Sequence, residues 1–169
     1  VWRFSKEEER FQLLELPVKS FVSSIECLSD GNILFVTSIE GFFIYNPVTN
    51  RHTHYSPKEN KELSNSPILS VYIDRGGEIW FEQEIPGCVT HFQPSTGILK
   101  QERLEVEPAS ADRARPSFHI HEDIRGRVWV HPFGGGLSYF DRKENKLVPF
   151  YNEPGSKDWR FSNKVHSVF

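Results

Sequence analysis

The feature of this sequence that most constrains its fold is a residue pattern repeated at a period of about 47 positions. The matching segments are 23–51, 69–98 and 118–146. A turn glycine recurs at intervals of 46 and 49 residues, and an aromatic residue followed by a polar one recurs at intervals of 47 and 48. These two columns contain Gly31, Gly77 and Gly126, and Tyr45-Asn46, Phe92-Gln93 and Phe140-Asp141. The same order of residue types at a nearly constant spacing predicts a repeat architecture.

Each repeat predicts four short β-strands. An alternating apolar strand such as 22–28 is followed by a turn built from Asp and Gly, written "SDGN" or "DRGG". The second strand is rich in β-branched and aromatic residues ("ILFVT", "EIWFE", "RVWVH"), and a glycine-containing link leads to a third ("FFIY", "VTHF", "LSYF"). A last turn precedes a fourth strand such as "RHTHY" or "KLVPF". No apolar stripe of helical period is present, so the predicted class is all-β.

Four strands in about 47 residues are typical of a β-propeller blade. A tandem sandwich is the main competing fold, but it would not repeat its turn chemistry column by column. The predicted parts are 1–20 as the end of a preceding blade, blades at 21–67, 68–117 and 118–163, and 164–169 as the first strand of a following blade. The chain also has no methionine, so we expect it to be a piece of a longer protein with about three full blades and partial ones.

Composition excludes several classes of protein. The 169 residues are 37% hydrophobic and 14% aromatic, which is enough to build a core. A net charge of −3 gives no basic footprint, so no nucleic-acid partner is predicted. No apolar run approaches the ~20 residues of a membrane span, and no signal peptide opens the chain. Cys27 and Cys88 are 61 positions apart, which argues against a zinc or redox pair and leaves one disulfide possible in principle.

The repeat resembles a known family. The order of an apolar strand, D-x-x-G-x-[IV]-W and then G-[LF]-x-x-[YF]-[ND] is similar to the regulator-propeller repeat, which builds the periplasmic sensor regions of hybrid two-component systems in Bacteroidetes-type bacteria. The resemblance covers nearly the whole chain, although Leu34 replaces the usual Trp in the first repeat and Cys88 the usual Gly in the second. It implies a periplasmic location and an oligosaccharide ligand, often an acidic one. It also implies that a membrane span, a histidine kinase and a DNA-binding response module lie in other parts of a parent chain.

Residues that suggest catalysis or metal binding have simpler explanations in this pattern. The glycines 134–136 precede a predicted strand rather than the helix that a phosphate site needs, so we expect a hairpin link. The pairs His52/His54 and His119/His121 could each point to one face of a strand, but no third ligand stands at a fixed spacing. We therefore expect structural histidines, with no metal, cofactor or catalytic residue.

Two further groups are also predicted to be structural. Trp80 and Trp129 occupy one repeat column and are expected to pack between blades. Glu7, Glu8 and Glu9 are expected to form a solvated turn before a strand that begins near Arg10.

The candidate ligand site lies in the longer loops. Antiparallel strands place the links between strands two and three, and those between blades, on one face, where 56–67, 102–117 and 152–163 are long and irregular. Arginine side chains there could bind a carboxylate or sulfate, and a tryptophan could stack on a sugar ring. The candidate ligand-binding residues are Arg113, Arg115, His131, Phe133, Lys157, Trp159 and Arg160. Ordinary solvated loop residues remain an equal alternative.

The leading functional hypothesis is a ligand-binding sensor region that is not itself an enzyme. The alternatives are an interaction scaffold that binds another protein and, further behind, a propeller lyase or hydrolase acting on polysaccharides. A piece with fewer than four complete blades leaves sheet surfaces uncovered, so we also expect a homodimer, self-association through the blade faces, or an open arc.

Overall fold

A computed structural model of the chain describes residues 1–63, 67–83, 88–103, 118–132 and 137–150. The described residues form fourteen strands and one 3₁₀ turn at Lys61–Leu63. The strands are β1 (Trp2–Ser5), β2 (Arg10–Leu13), β3 (Val22–Cys27), β4 (Ile33–Thr37), β5 (Phe42–Asn46), β6 (Arg51–Tyr55), β7 (Ile68–Ile73), β8 (Ile79–Gln83), β9 (Cys88–Gln93), β10 (Ile98–Arg103), β11 (Phe118–Glu122), β12 (Val128–Pro132), β13 (Leu137–Asp141) and β14 (Lys146–Phe150).

The strands form three four-stranded antiparallel sheets and one hairpin. We name them the first sheet (β3–β6), the second sheet (β7–β10), the third sheet (β11–β14) and the N-terminal hairpin (β1–β2). In each sheet the strands are neighbours in chain order, as in a propeller blade. The predicted all-β class and four-stranded units are confirmed, whereas the exact blade boundaries stay a prediction.

The turn between the first and second strands has the same geometry in all three sheets. Its glycines, Gly31, Gly77 and Gly126, have φ angles of +83°, +79° and +76°. In the second sheet the N–H of Asp74 donates to the carbonyl of Glu78 (3.0 Å), and the equivalent bonds in the other sheets are 2.9 and 3.0 Å. A left-handed residue closes such a hairpin, which explains why the turn needs glycine.

The sheets pack face to face, with an apolar cluster at each boundary. In β8, Ile79 and Phe81 lie in the cluster with Phe42 of the first sheet, where the Phe42 and Phe81 rings stack at 4.7 Å. Trp80 points the opposite way, as strand alternation requires, and packs with Val128 of the third sheet. The prediction that Trp80 packs between blades is confirmed.

Trp129, the equivalent residue of the third sheet, lies on the surface of that sheet that faces away from the second sheet. It is half-buried, and its ring packs against Tyr139 (5.7 Å) and Phe150 (5.5 Å) of the same sheet. The guanidinium of Arg127 lies 5.4 Å from the centre of its ring. This tryptophan thus packs within its own sheet in the described part of the chain.

The remaining structural predictions concern the first turn and the cysteines. Residues 6–9 form the turn between β1 and β2, as predicted for the glutamates. Cys27 is an exposed free thiol and Cys88 a buried one, on different sheets. Among the residues that the structure describes, no helix has the length and apolar character that crossing a membrane requires.

Candidate functional site

A hydrogen-bonded acid–tryptophan pair occurs at the first turn of two of the sheets, buried in the second sheet and half-buried in the third. The indole Nε1–H of Trp80 donates to Asp74 (3.0 Å), and that of Trp129 donates to Asp123 (3.0 Å). The equivalent positions in the first sheet are Leu28 and Leu34, which are 8% and 0% exposed. The first sheet has therefore exchanged both polar partners for apolar ones, and a carboxylate is buried only where it has donors.

An arginine from the third sheet neutralises the buried carboxylates of the second. Arg142 follows β13 and donates to Asp74 (2.8 Å) and to Glu78 (3.2 Å). The side chain of Asp74 is 0% exposed and that of Arg142 is 41% exposed. Partial burial alone would lower the pKa of Arg142, but the hydrogen bond and charge of Asp74 and the charge of Glu78 raise it above its ordinary value. We call Arg142, Asp74 and Glu78 the arginine clamp.

A buried histidine of the second sheet contacts the clamp through Glu78. The other carboxylate oxygen of Glu78 lies 2.5 Å from Nδ1 of His91, whose ring stacks on Trp80 at 4.7 Å. The Nε2 of His91 has no hydrogen-bond partner and lies 3.7 Å from the Glu102 carboxylate, which Lys100 pairs. Ionisable side chains therefore form a continuous line across the second sheet. In order they are Arg142, Glu78, His91, Glu102 and Lys100.

Two more polar links join the second and third sheets. The backbone N–H of Arg75 donates to the carboxylate of Glu122 (2.8 Å). At the outer strands, the ammonium group of Lys100 donates to the backbone carbonyl of Asn145. This boundary is closed by side chains from both sheets.

The boundary between the first and second sheets is open at the corresponding place. Gln93 and Asp141 each end the third strand of their sheet and pair with the first residue of the fourth, so the next residue, Pro94, takes the position that Arg142 has in the third sheet. Proline offers no side-chain donor, and the first turn of the first sheet offers no buried acid to receive one. A cleft of about 610 Å³ opens there, lined by residues 27–30, 73–78 and 93–95 and by Arg142. We call it the turn-face cleft.

The lining of the turn-face cleft is polar and of mixed charge. Asp30, Arg75 and Arg142 bring exposed charged side chains to it, whereas the side chains of Asp74 and Glu78 are 0% and 9% exposed and are paired with Arg142. Asp30 accepts hydrogen bonds from the backbone (2.9 Å) and side-chain (2.7 Å) nitrogens of its neighbour Asn32, which orients its carboxylate. Fixed donors and acceptors on a concave surface can orient a polar ligand.

The histidines and acidic residues of the described sheets form no metal site. Within the described ranges, no three His, Cys, Asp or Glu side chains lie together as a metal site would require. His54 has a structural environment, as predicted, because its ring stacks on Phe43 at 4.0 Å and its Nε2 lies 2.8 Å from the carbonyl of Glu40.

The structure describes one of the seven residues predicted to bind ligand. His131 lies in β12, where it is 1% exposed and its ring is 5.2 Å from that of His119. The others, Arg113, Arg115, Phe133, Lys157, Trp159 and Arg160, lie outside the described residues, as do the glycines 134–136. The loop site stays a prediction.

Sequence reasoning missed the turn-face cleft, because the short turns looked purely structural. The signal was present in two repeat columns. One column holds Leu28 where the second and third sheets have an aspartate, and the other holds Pro94 where the third sheet has an arginine.

No protein-family model matches the sequence, and no curated protein matches it. Solved structures do match. The extracellular domain of a putative hybrid two-component system from B. thetaiotaomicron is 18% identical, with a TM-score of 0.58 over 99% of this chain and 22% of that one. A catalytically inactive virginiamycin B lyase from Staphylococcus aureus with quinupristin is 15% identical, with a TM-score of 0.59 over 89% and 48%. An auxiliary nutrient binding protein from Bacteroides ovatus is 13% identical, with a TM-score of 0.53 over 88% and 35%.

The structural match, the sequence repeat and the three stacked four-stranded sheets all indicate the same fold. The chain has the blades of a β-propeller. It spans about a fifth of the matched sensor domain and less than half of the lyase and of the nutrient-binding protein. The presence of an extracellular domain of a hybrid two-component system among the neighbours is consistent with the regulator-propeller resemblance. At these identities the likeness shows the fold alone.

Proposed function

We propose that this chain is part of the ligand-binding region of an extracytoplasmic sensor of the hybrid two-component type, and that the ligand is an oligosaccharide. The blade fold shared with extracellular sensor and nutrient-binding proteins supports an extracytoplasmic binding role. The regulator-propeller resemblance supports the periplasmic location and the signalling partner modules. In this proposal the chain binds its ligand without transforming it.

The observation that carries the proposal is the turn-face cleft. It opens at the boundary where no arginine clamp joins the two sheets, and its volume of about 610 Å³ suits a few sugar rings. An oligosaccharide is rich in hydroxyl groups that both donate and accept hydrogen bonds. The cleft offers the oriented carboxylate of Asp30 as an acceptor and the guanidiniums of Arg75 and Arg142 as donors.

The test is binding of a panel of neutral and acidic oligosaccharides to the purified chain, measured by calorimetry. Ser95→Trp would place an indole in the cleft, and we expect it to weaken binding at least tenfold by excluding the ligand. Val48→Trp is the matched control, because Val48 occupies the same turn position in the first sheet and is 91% exposed. It should leave affinity unchanged.

Other outcomes would separate the site from the function. If Ser95→Trp binds normally and Arg113→Ala or Trp159→Ala loses binding, the ligand occupies the predicted loop site and the cleft is wrong. If no oligosaccharide in the panel binds the unmodified chain, the proposal of oligosaccharide sensing is wrong.

A further inference from the structure

The arginine clamp borders the turn-face cleft, and this suggests which residue reads the ligand. We propose that Arg142 recognises the ligand of the cleft, and that this ligand presents a pair of neighbouring hydroxyl oxygens rather than a carboxylate. The inference rests on the proposed function and makes its ligand class specific. It assigns part of the site to the third sheet, although the cleft opens between the first two.

Arg142 is held in one orientation before any ligand arrives. Its two terminal nitrogens donate to Asp74 and Glu78, whose side chains are 0% and 9% exposed. A guanidinium has five N–H donors, so two bonds leave others for a ligand. Because 41% of the side chain is exposed and it lines the cleft, the remaining donors face a ligand at little further cost in conformational entropy.

Gly76 provides the space through which Arg142 reaches the cleft. A methyl group at Gly76 would lie 3.1 Å from the Asp74 carboxylate and 3.4 Å from a terminal nitrogen of Arg142. In the third sheet the equivalent residue is Arg125, which is exposed and shows that the turn itself accepts a side chain. Close approach of the clamp explains the glycine better than backbone conformation does.

The charge of the lining indicates the ligand class. Two of its three carboxylates, those of Asp74 and Glu78, are buried and paired with Arg142, and the third, that of Asp30, is exposed. Arg142 is already neutralised by its carboxylates, so an anionic ligand would gain little attraction and would meet Asp30 as a like charge. Neighbouring hydroxyls of a neutral sugar match the paired N–H donors of a guanidinium without this repulsion.

The test uses maltotriose as a neutral probe and trigalacturonate as an acidic one. Calorimetry on the intact chain should show tighter binding of the neutral trisaccharide. Arg142→Lys keeps the charge but loses the fork of donors, and we expect about a tenfold or greater loss of affinity. Gly76→Ala crowds the clamp and should also weaken binding about tenfold, which gives a second variant if Arg142→Lys lowers the melting temperature.

Lys143→Ala is the matched control, because Lys143 neighbours Arg142 in the same turn and is exposed. It should bind within about twofold of the unmodified chain. Unchanged affinity in both Arg142→Lys and Gly76→Ala would overturn the role of Arg142, and tighter binding of trigalacturonate would overturn the ligand class. Neither of these results would contradict the proposed sensor function. If the unmodified chain binds neither probe, this inference is wrong and the proposed function loses support as well.

Discussion

At the scale of single residues, the acid at the first turn and the aromatic side chain six positions later behave as one unit. Asp74 and Asp123 each accept an indole N–H, and the first sheet replaces both partners by leucine. At the buried position of Asp74, a carboxylate left without donors would cost several kcal/mol of desolvation. Replacing both partners together avoids that cost, and it also removes the acceptor that an arginine clamp would need at the first sheet.

The second of these pairs gives a prediction about pH. The backbone N–H of Arg127 and the indole of Trp129 donate to Asp123 and lower its pKa below the ordinary 3.8. Because the folded pKa is depressed, the stabilisation is fully present above pH 3.8 and is lost as the pH falls through the folded value. We expect Asp123→Asn to lower the melting temperature near neutral pH, and the curves of the two proteins to converge in acid.

The measurement is the melting temperature of both proteins from about pH 7 down to about pH 2.5, the range over which aspartates titrate. A constant difference between the proteins across that range would show that the charge of Asp123 contributes nothing.

At the scale of structural elements, two glycines with the same backbone angle serve different purposes. Gly31 and Gly41 both have φ of +83°. A methyl group at Gly31 would meet no atom within 4 Å. A methyl group at Gly41, in the link between β4 and β5, would overlap the backbone carbonyl oxygen of Tyr55. The first glycine supplies only a turn conformation, whereas the second also allows the link to lie against β6.

This pair provides its own control. We expect Gly31→Ala to lower the free energy of unfolding by about 1–2 kcal/mol, which is the cost of a left-handed alanine. Gly41→Ala should lower it by at least twice as much, because the backbone must also move. Urea unfolding of the two variants measures the difference, and equal losses would show that the Tyr55 contact is unimportant.

The elements were predictable from the sequence, and the cleft was not, for one physical reason. Strand alternation and turn glycines are local signals, so the four-stranded units followed from residues close together in the chain. The arginine clamp joins Arg142 to Asp74, which are 68 positions apart. The clamp is absent at the neighbouring boundary because Pro94 stands where the third sheet has Arg142. This consequence is visible only when the sheets are stacked.

At the scale of the whole molecule, apolar clusters fill the boundaries between neighbouring sheets, and the N-terminal hairpin keeps an uncovered surface. Its cross-strand pairs Trp2–Leu13 and Phe4–Phe11 share one face of the hairpin. These side chains are 65%, 57%, 50% and 67% exposed in that order, and the Phe4 and Phe11 rings are 5.1 Å apart. A contiguous apolar surface of this kind favours association.

We therefore expect this chain, in isolation, to self-associate through the hairpin surface. Phe4→Ser combined with Phe11→Ser should shift the population toward monomer, because each ring buried in an interface contributes about 1.5–3 kcal/mol. Val48→Ser is the control, since Val48 is 91% exposed but isolated, and it should leave the distribution unchanged. Sedimentation velocity over a hundredfold range of concentration measures the shift. A chain that is monomeric across that range before any substitution would contradict the prediction, and it would mean that these rings can remain in water without driving association.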